Sequence, residues 1–305
     1  MKSGLRSFYL FSIAALLLGV VGCTVTLPGS QPSTITPTTA LNSVSLVATS
    51  TPQLTATPFP VYEGSLCAYS SGAIEDISIA SDLLTRPLAV KIYLPPCYNK
   101  ARFPGYPVLY MLHGQTFEND QWQRLGLLTA ADDLILTGSI RPMIIVMPYD
   151  ISWTIGPENS SFDEAFTQEL IPYLEENYNS CPDRGCRAVG GLSRGGNWAV
   201  YLGFAYPELF TAIGSHSSPL FYGEIPRITT VLKAGDLTGK LPAIYIDVGN
   251  SDENINQVLA YVNLLKKYNV PYQFTEFTGY HSEDYWSAHV YDYLVWYSSQ
   301  FAFNP

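Results

Sequence analysis

Basic residues are scarce in this sequence. Lys and Arg number 16 against 26 Asp and Glu, leaving a formal net charge of −10 and a pI near 4.8. Phosphate backbones and anionic lipid surfaces repel a chain so acidic, which argues against nucleic acid as a partner and against an electrostatic hold on a membrane. Charge of either sign is thin, at 14% of residues, while 47% are hydrophobic, so a buried core is expected rather than disorder throughout. Long apolar runs are missing too. The one candidate, residues 8–21, is too short for a transmembrane helix. Histidine is limited to 4 residues, and none neighbours a pair of cysteines, so the Cys-x4-Cys spacing at 181 and 186 is not read as zinc ligation. Neither a metal nor an organic cofactor is expected. No internal repeat and no second boundary interrupt the globular part.

What is present begins with a leader. Lys2 and Arg6 precede the apolar run, which ends in Val20-Val21-Gly22-Cys23. This resembles a bacterial lipoprotein signal, in which the cysteine is lipidated and becomes the mature N-terminus. The expectation is a signal peptide over residues 1–22 and export to the cell envelope. The only membrane contact would be the lipid on Cys23. Residues 23–62 form a linker rich in Thr, Ser and Pro, and its residues 24–60 carry no charge. A segment of that composition cannot bury a core. Residues 63–305 are then the folded domain. It holds Cys67, Cys97, Cys181 and Cys186, an even number in an exported chain, which suggests disulfides. The turn residues Pro182 to Gly185 favour a small Cys181–Cys186 loop, leaving Cys67 to pair with Cys97.

Within the domain, short apolar runs alternate with helical patterns. Strands are expected at 74–80 and 88–94, an antiparallel pair at a sheet edge. More follow at 106–112, 143–147, 187–192, 210–215, 243–248 and 272–277. Helices are expected at 121–137, 163–178, 194–206, 254–268 and 287–301, with Pro172 kinking the second or marking its start. Residues 225–240 read as loop. This alternation implies a mostly parallel sheet with helices on both faces, whose functional loops gather at the carboxyl ends of the strands.

One of those ends carries Gly191-Leu192-Ser193-Arg194-Gly195, which fits the G-x-S-x-G elbow that presents a nucleophilic serine between a strand and a helix. A serine hydroxyl needs a base, and histidine is the usual one near neutral pH. His281 lies in a loop between the last strand and the closing helix, and is the preferred base. His289 falls in or near that helix and reads as structural, and His113 belongs to a turn. His216 follows an earlier strand, where it would rim the pocket. The acid must fall between serine and base. Asp252 lies just beyond a strand end, with Asp247 and Glu253 as the alternatives. Two backbone amides must face the developing oxyanion. Arg194 supplies one, and the loop after the third strand the other, from Gln115 in preference to Gly114. Trp122, Trp153, Trp286 and Tyr280 stand near these loops. Trp122 and Trp153, with His216, are the substrate-binding candidates, Trp153 the foremost. Glu118 and Asp120 read as solvated carboxylates.

Taken together, Tyr110-Met111-Leu112-His113-Gly114, Trp122, Ile144 to Pro148, the Gly-Leu-Ser-Arg-Gly-Gly elbow, Gly249…Asp252 and Gly279…His281 resemble the esterase D and enterochelin esterase-like branch of the α/β-hydrolases. The resemblance spans roughly residues 75–301. It implies an α/β-hydrolase fold and a Ser193–Asp252–His281 triad cleaving carboxylic esters through an acyl-enzyme. The ligand would be a small-molecule or carbohydrate-linked ester. Transfer of the acyl group to a sugar or lipid alcohol, or an inactive binding lipoprotein, are the competing readings.

Overall fold

The computed structural model describes residues 70–151, 154–235 and 241–302. Among them, eight strands make one sheet: β1 (Ala73–Ile79), β2 (Leu88–Leu94), β3 (Val108–Leu112), β4 (Ile144–Pro148), β5 (Arg187–Leu192), β6 (Ala212–His216), β7 (Ala243–Gly249) and β8 (Gln273–Phe277). Their spatial order is β1-β2-β4-β3-β5-β6-β7-β8. β1 pairs antiparallel with β2, Ala73 opposite Leu94, and β2 runs antiparallel to β4. All the pairings from β4 through β8 are parallel. The carboxyl ends of β3 to β8 therefore open on one end of the sheet.

The period-2 geometry of a strand splits each apolar run between two cores. Val108, Tyr110 and Leu112 of β3 point into one, Leu109 and Met111 into the other. All five are buried, which is why the run lacks polar alternation. Fully burying such a side chain contributes about 1.5–3 kcal/mol. The first core is covered by α5 (Arg194–Ala205), α6 (Glu224–Ala234) and α7 (Ile255–Lys267). The second is covered by α1 (Gln121–Arg124), α2 (Leu127–Leu136) and α8 (Glu283–Gln300). α8 reaches deepest: the Tyr297 hydroxyl fills a notch in the sheet where Gly190 of β5 stands opposite Gly214 of β6. A Cβ on either glycine would overlap that hydroxyl.

Several helices depart from the sequence expectation. The pattern at 121–137 is two helices, because Gly126 takes φ 87° and turns the chain. The pattern at 163–178 becomes α3 (Phe162–Ala165), a π-helical turn (Phe166–Leu170) and α4 (Ile171–Asn177). Pro172 lies in the first turn of α4, and its ring would press on the carbonyl four residues back. The widened turn relieves that clash. The stretch read as loop contains α6. Its Pro226 lies in the first turn, where a missing N–H costs nothing, and Gly223 and Gly235 bound it in left-handed conformations. The closing helix starts at Glu283, four residues before the expected 287.

Cys181 and Cys186 form a disulfide with Cα atoms 5.8 Å apart. Cys97 is also disulfide-bonded. Cys67, its expected partner, lies outside the described residues, as do Cys23, the leader, the linker and Trp153. Among the described residues, no helix is long and apolar enough to cross a membrane.

Candidate active site

Ser193 sits between β5 and α5 with φ 50° and ψ −120°, a conformation that costs a non-glycine residue on the order of 1–3 kcal/mol. The surroundings hold it there. Its N–H donates to the His216 carbonyl at 2.8 Å, and its own carbonyl accepts from Asn197 N–H at 3.1 Å. A side chain on Gly195 would strike the carbonyl of Leu112, so α5 can approach β3 only with glycine there. The hydroxyl is thus lifted to the carboxyl end of the sheet, half-buried.

Asp252 and His281 come to it from the loops after β7 and β8. His281 Nε2 lies 3.0 Å from Ser193 Oγ, and His281 Nδ1 lies 2.9 Å from Asp252 Oδ2. The two loops are tied together: Asn250 N–H donates to Phe277 O at 2.7 Å and Ser251 N–H to Gly279 O at 2.9 Å. Burial acts to raise the Asp252 pKa, but hydrogen bonds from His281 and the Asn254 amide outweigh it and hold the carboxyl below its usual range. Asp252 is therefore ionised at neutral pH, the state that holds Nδ1 protonated and leaves Nε2 to accept. Asp247, the alternative acid, is held by other partners. It is fully buried and bonded to His216 Nδ1 at 2.6 Å and to the hydroxyls of Tyr285 and Tyr293 at 2.7 and 2.9 Å.

The upstream loop is organised around His113. Its Nε2 accepts from Asp150 N–H at 2.9 Å, and a backbone amide can only donate, so a neutral ring carries its proton on Nδ1. Nδ1 in turn donates to Gly114 O at 2.8 Å. Burial pushes the His113 pKa down, which keeps the ring neutral. The Gly114 N–H, offered from sequence as an oxyanion donor, is turned inward and donates to Gln121 Oε1 at 2.8 Å. Gln115, preferred from sequence for that role, lies on an exposed stretch of the loop. The Arg194 amide heads α5, at the positive end of the helix.

Two substrate-binding candidates belong to the core instead. Trp122 is 1% exposed, and its Nε1 donates to Leu112 O at 2.9 Å. His216 is wholly buried, stacked on Tyr293 with ring centroids 3.8 Å apart. Both stand at the right end of the sheet but point sideways into its lower layer. The exposed apolar side chains at that end are others: Phe117 after β3, Ile155 after β4, Tyr222 after β6 and Tyr280 after β8. The Arg194 side chain also escaped the sequence reading. Its Nε bonds Asp150 Oδ2 at 3.0 Å and its Nη2 donates to Ile155 O at 2.8 Å. It thereby ties α5 to the loop after β4. Glu118 is solvent-exposed as expected, and Asp120 bonds Arg124 at 3.2 Å. Among the described residues, no group of three His, Cys, Asp or Glu could hold a metal ion.

The strand order, the antiparallel entry and the serine elbow define an α/β-hydrolase fold. Within that class, the chain matches the family described as "Putative esterase" over residues 81–297, and it belongs to that family. A solved ferulic acid esterase superposes with a TM-score of 0.67 at 25% identity, covering 76% of this chain and 99% of that one. The endo-1,4-beta-xylanase/feruloyl esterase of Xylanibacter ruminicola is 31% identical over 151 residues, which are 46% of this chain and 20% of that protein. The chain thus matches only a fifth of that relative's length. The acetyl esterase of Caldicellulosiruptor saccharolyticus is 22% identical over 74% of this chain and 98% of its own.

Proposed function

We propose that this protein is a serine carboxylic-ester hydrolase whose nucleophile is Ser193. The observation that carries the reading is the chain of contacts from Ser193 Oγ to His281 Nε2 at 3.0 Å and from His281 Nδ1 to Asp252 Oδ2 at 2.9 Å. Ser193 Oγ attacks the ester carbonyl as His281 Nε2 takes its proton. The tetrahedral oxyanion is met by the amides of Arg194 and Gln115. His281 then protonates the departing alcohol, leaving an acyl group on Ser193. Water, deprotonated by the same histidine, releases the acid.

The exposed Phe117, Tyr222 and Tyr280 favour a substrate with a flat face, a phenolic acyl group or a sugar ring. The names of the relatives above, feruloyl and acetyl esterases, point the same way. The test is a panel of p-nitrophenyl esters from acetate to longer chains, alongside feruloyl and acetylated sugar esters. A fluorophosphonate probe is run in parallel. Turnover of at least one class, with labelling of the wild type and none of Ser193→Ala, is the expected result. A protein that cleaves no ester and takes up no probe is a binding protein on the same scaffold, and the hydrolase reading is then wrong.

We propose that the protein is exported and held to the cell envelope by a lipid on Cys23. The order of Lys2, Arg6, the apolar run and Gly22-Cys23 supports this. Cys23→Ser is expected to move the protein from the membrane to the soluble fraction. Unchanged partitioning would rule out the lipid anchor.

A further inference from the structure

The most unusual polar side chain near the site is Gln121. It is 0% exposed, yet both ends of its carboxamide are engaged. Oε1 accepts the Gly114 N–H at 2.8 Å, and Nε2 donates to Glu283 Oε1 at 3.0 Å. The amide cannot be flipped. Gly114 N–H only donates and the carboxylate only accepts, so only one orientation satisfies both. Glu283 is fixed in turn, with each of its oxygens 3.1 Å from Arg124 Nη1.

The two ends of this chain of bonds matter. Gly114 adjoins Gln115, and an atom built at its Cβ position would lie 3.7 Å from Ser193 Cβ. Glu283 opens α8, two residues after His281. Gln121 therefore spans the oxyanion loop and the histidine loop, which lie far apart in sequence.

The bond also sets a direction. The Gly114–Gln115 peptide is planar and trans, so its C=O and N–H point opposite ways. His113 Nδ1 holds the Gly114 carbonyl at 2.8 Å, and Phe117 N–H reaches the same oxygen at 3.3 Å. With Gln121 holding Gly114 N–H on the preceding peptide, Gly114 is gripped on both sides. The Gln115 N–H is left pointing away from the gripped carbonyl.

We propose that Gln121 and Glu283 are positioning residues that latch the oxyanion loop to the histidine loop, and so aim the Gln115 amide at the transition-state oxyanion. The second half of this statement rests on the ester-hydrolase reading, while the latch itself does not. Only glutamine serves at 121. Glutamate would set two carboxylates against each other, and an apolar residue would leave Gly114 N–H without its acceptor and Glu283 bound only to Arg124.

Two measurements test it on the purified protein. Amide hydrogen exchange is compared in wild type, Gln121→Met and Glu283→Ala, the last being a half-exposed position that leaves the core intact. Each variant is expected to speed exchange at least about tenfold in both the 113–118 and the 279–285 segments, since a lost latch frees both ends. Faster exchange confined to the substituted segment overturns the latch. Steady-state kinetics on a cleaved ester is expected to show kcat lowered roughly 30- to 100-fold in Gln121→Met with KM little changed, approaching the loss of one oxyanion donor. A boronic acid that mimics the tetrahedral adduct should lose affinity by a similar factor. Glu283→Gln keeps an oxygen for both Gln121 and Arg124, and should recover most of the rate lost in Glu283→Ala. An unchanged kcat in folded Gln121→Met, or equal losses in substrate and boronate affinity, overturns the aiming role. A wild type that cleaves no ester would refute the hydrolase reading instead, and the exchange result would still decide the latch.

Discussion

Ser193→Ala is expected to lower kcat by about five to six orders of magnitude while leaving KM within a few-fold of wild type. The size follows from the geometry. Ser193 Oγ is the atom held 3.0 Å from His281 Nε2, and on the proposed mechanism its removal abolishes the acyl-enzyme route altogether. What remains is water attacking a carbonyl in a site that still binds substrate and still stabilises the oxyanion, worth about 10³–10⁴ over the uncatalysed reaction. Two companions sharpen the result. The double variant Ser193→Ala/His281→Ala should be no slower than the single, because the two groups act as a unit. Asp252→Asn should lose about 10⁴-fold, through the wrong histidine tautomer rather than a missing atom. Pre-steady-state and steady-state assays on an activated ester separate acylation from release. If Ser193→Ala keeps more than about a hundredth of the wild-type kcat, the nucleophile lies elsewhere.

Asp247→Ala is the substitution with the largest expected effect on stability, about 3–5 kcal/mol. Asp247 is the hub of a buried polar cluster. Its Oδ1 meets His216 at 2.6 Å, and its Oδ2 accepts from Tyr285 at 2.7 Å and Tyr293 at 2.9 Å. His216 Nε2 continues the network to Tyr297 OH at 3.0 Å. Burial foremost, and then the Asp247 charge, pushes the Tyr285 and Tyr293 hydroxyls far up, so both stay protonated and remain donors. Truncating the hub would strand three donors in a medium where each unmet group costs about 1–3 kcal/mol. Chemical denaturation should show the lower midpoint, and a domain of this size should lose about 10 °C in Tm. Asp247→Asn keeps shape and two acceptor sites, and should cost about half as much. Folded Asp247→Asn is expected to retain substantial activity, unlike Asp252→Asn. Equal stability for Asp247→Ala and wild type would mean that the cluster rearranges without cost.

The order of strands and helices was legible because the central strands are buried on both faces. Val108 to Leu112 and Ile144 to Pro148 read as unbroken apolar runs. The elbow was legible for a steric reason, since the turn at Ser193 tolerates only small neighbours. Ser193, Asp252 and His281 could be ordered along the chain because each follows a strand, and parallel strands bring their carboxyl ends together. Position in the chain says which end of the sheet a residue occupies, not which way it points. Trp122 and His216 were misplaced for that reason: both lie at the active end, and both turn into the second core. Gln121 was invisible because a polar residue in a loop-helix junction reads as surface. Only its separation of 162 residues from Glu283, closed to 3.0 Å in space, reveals its place. α6 escaped because Pro226, Thr229, Thr230 and Val231 are poor helix formers, and tertiary packing at Ile228 overrides them.

The notch that receives Tyr297 limits how this fold can be recombined. Gly190 and Gly214 face each other across β5 and β6, and the hydroxyl filling their vacancy comes from near the end of the chain. A chimera that takes its closing helix from another member of the family keeps this fit only where that helix brings a tyrosine at the position of Tyr297. Tyr297→Phe would leave His216 Nε2 without that hydroxyl, and an alanine at either glycine would drive the tyrosine out. The three positions must therefore travel together, and the natural crossover points for building hybrids of this enzyme lie before β5, not between β8 and α8.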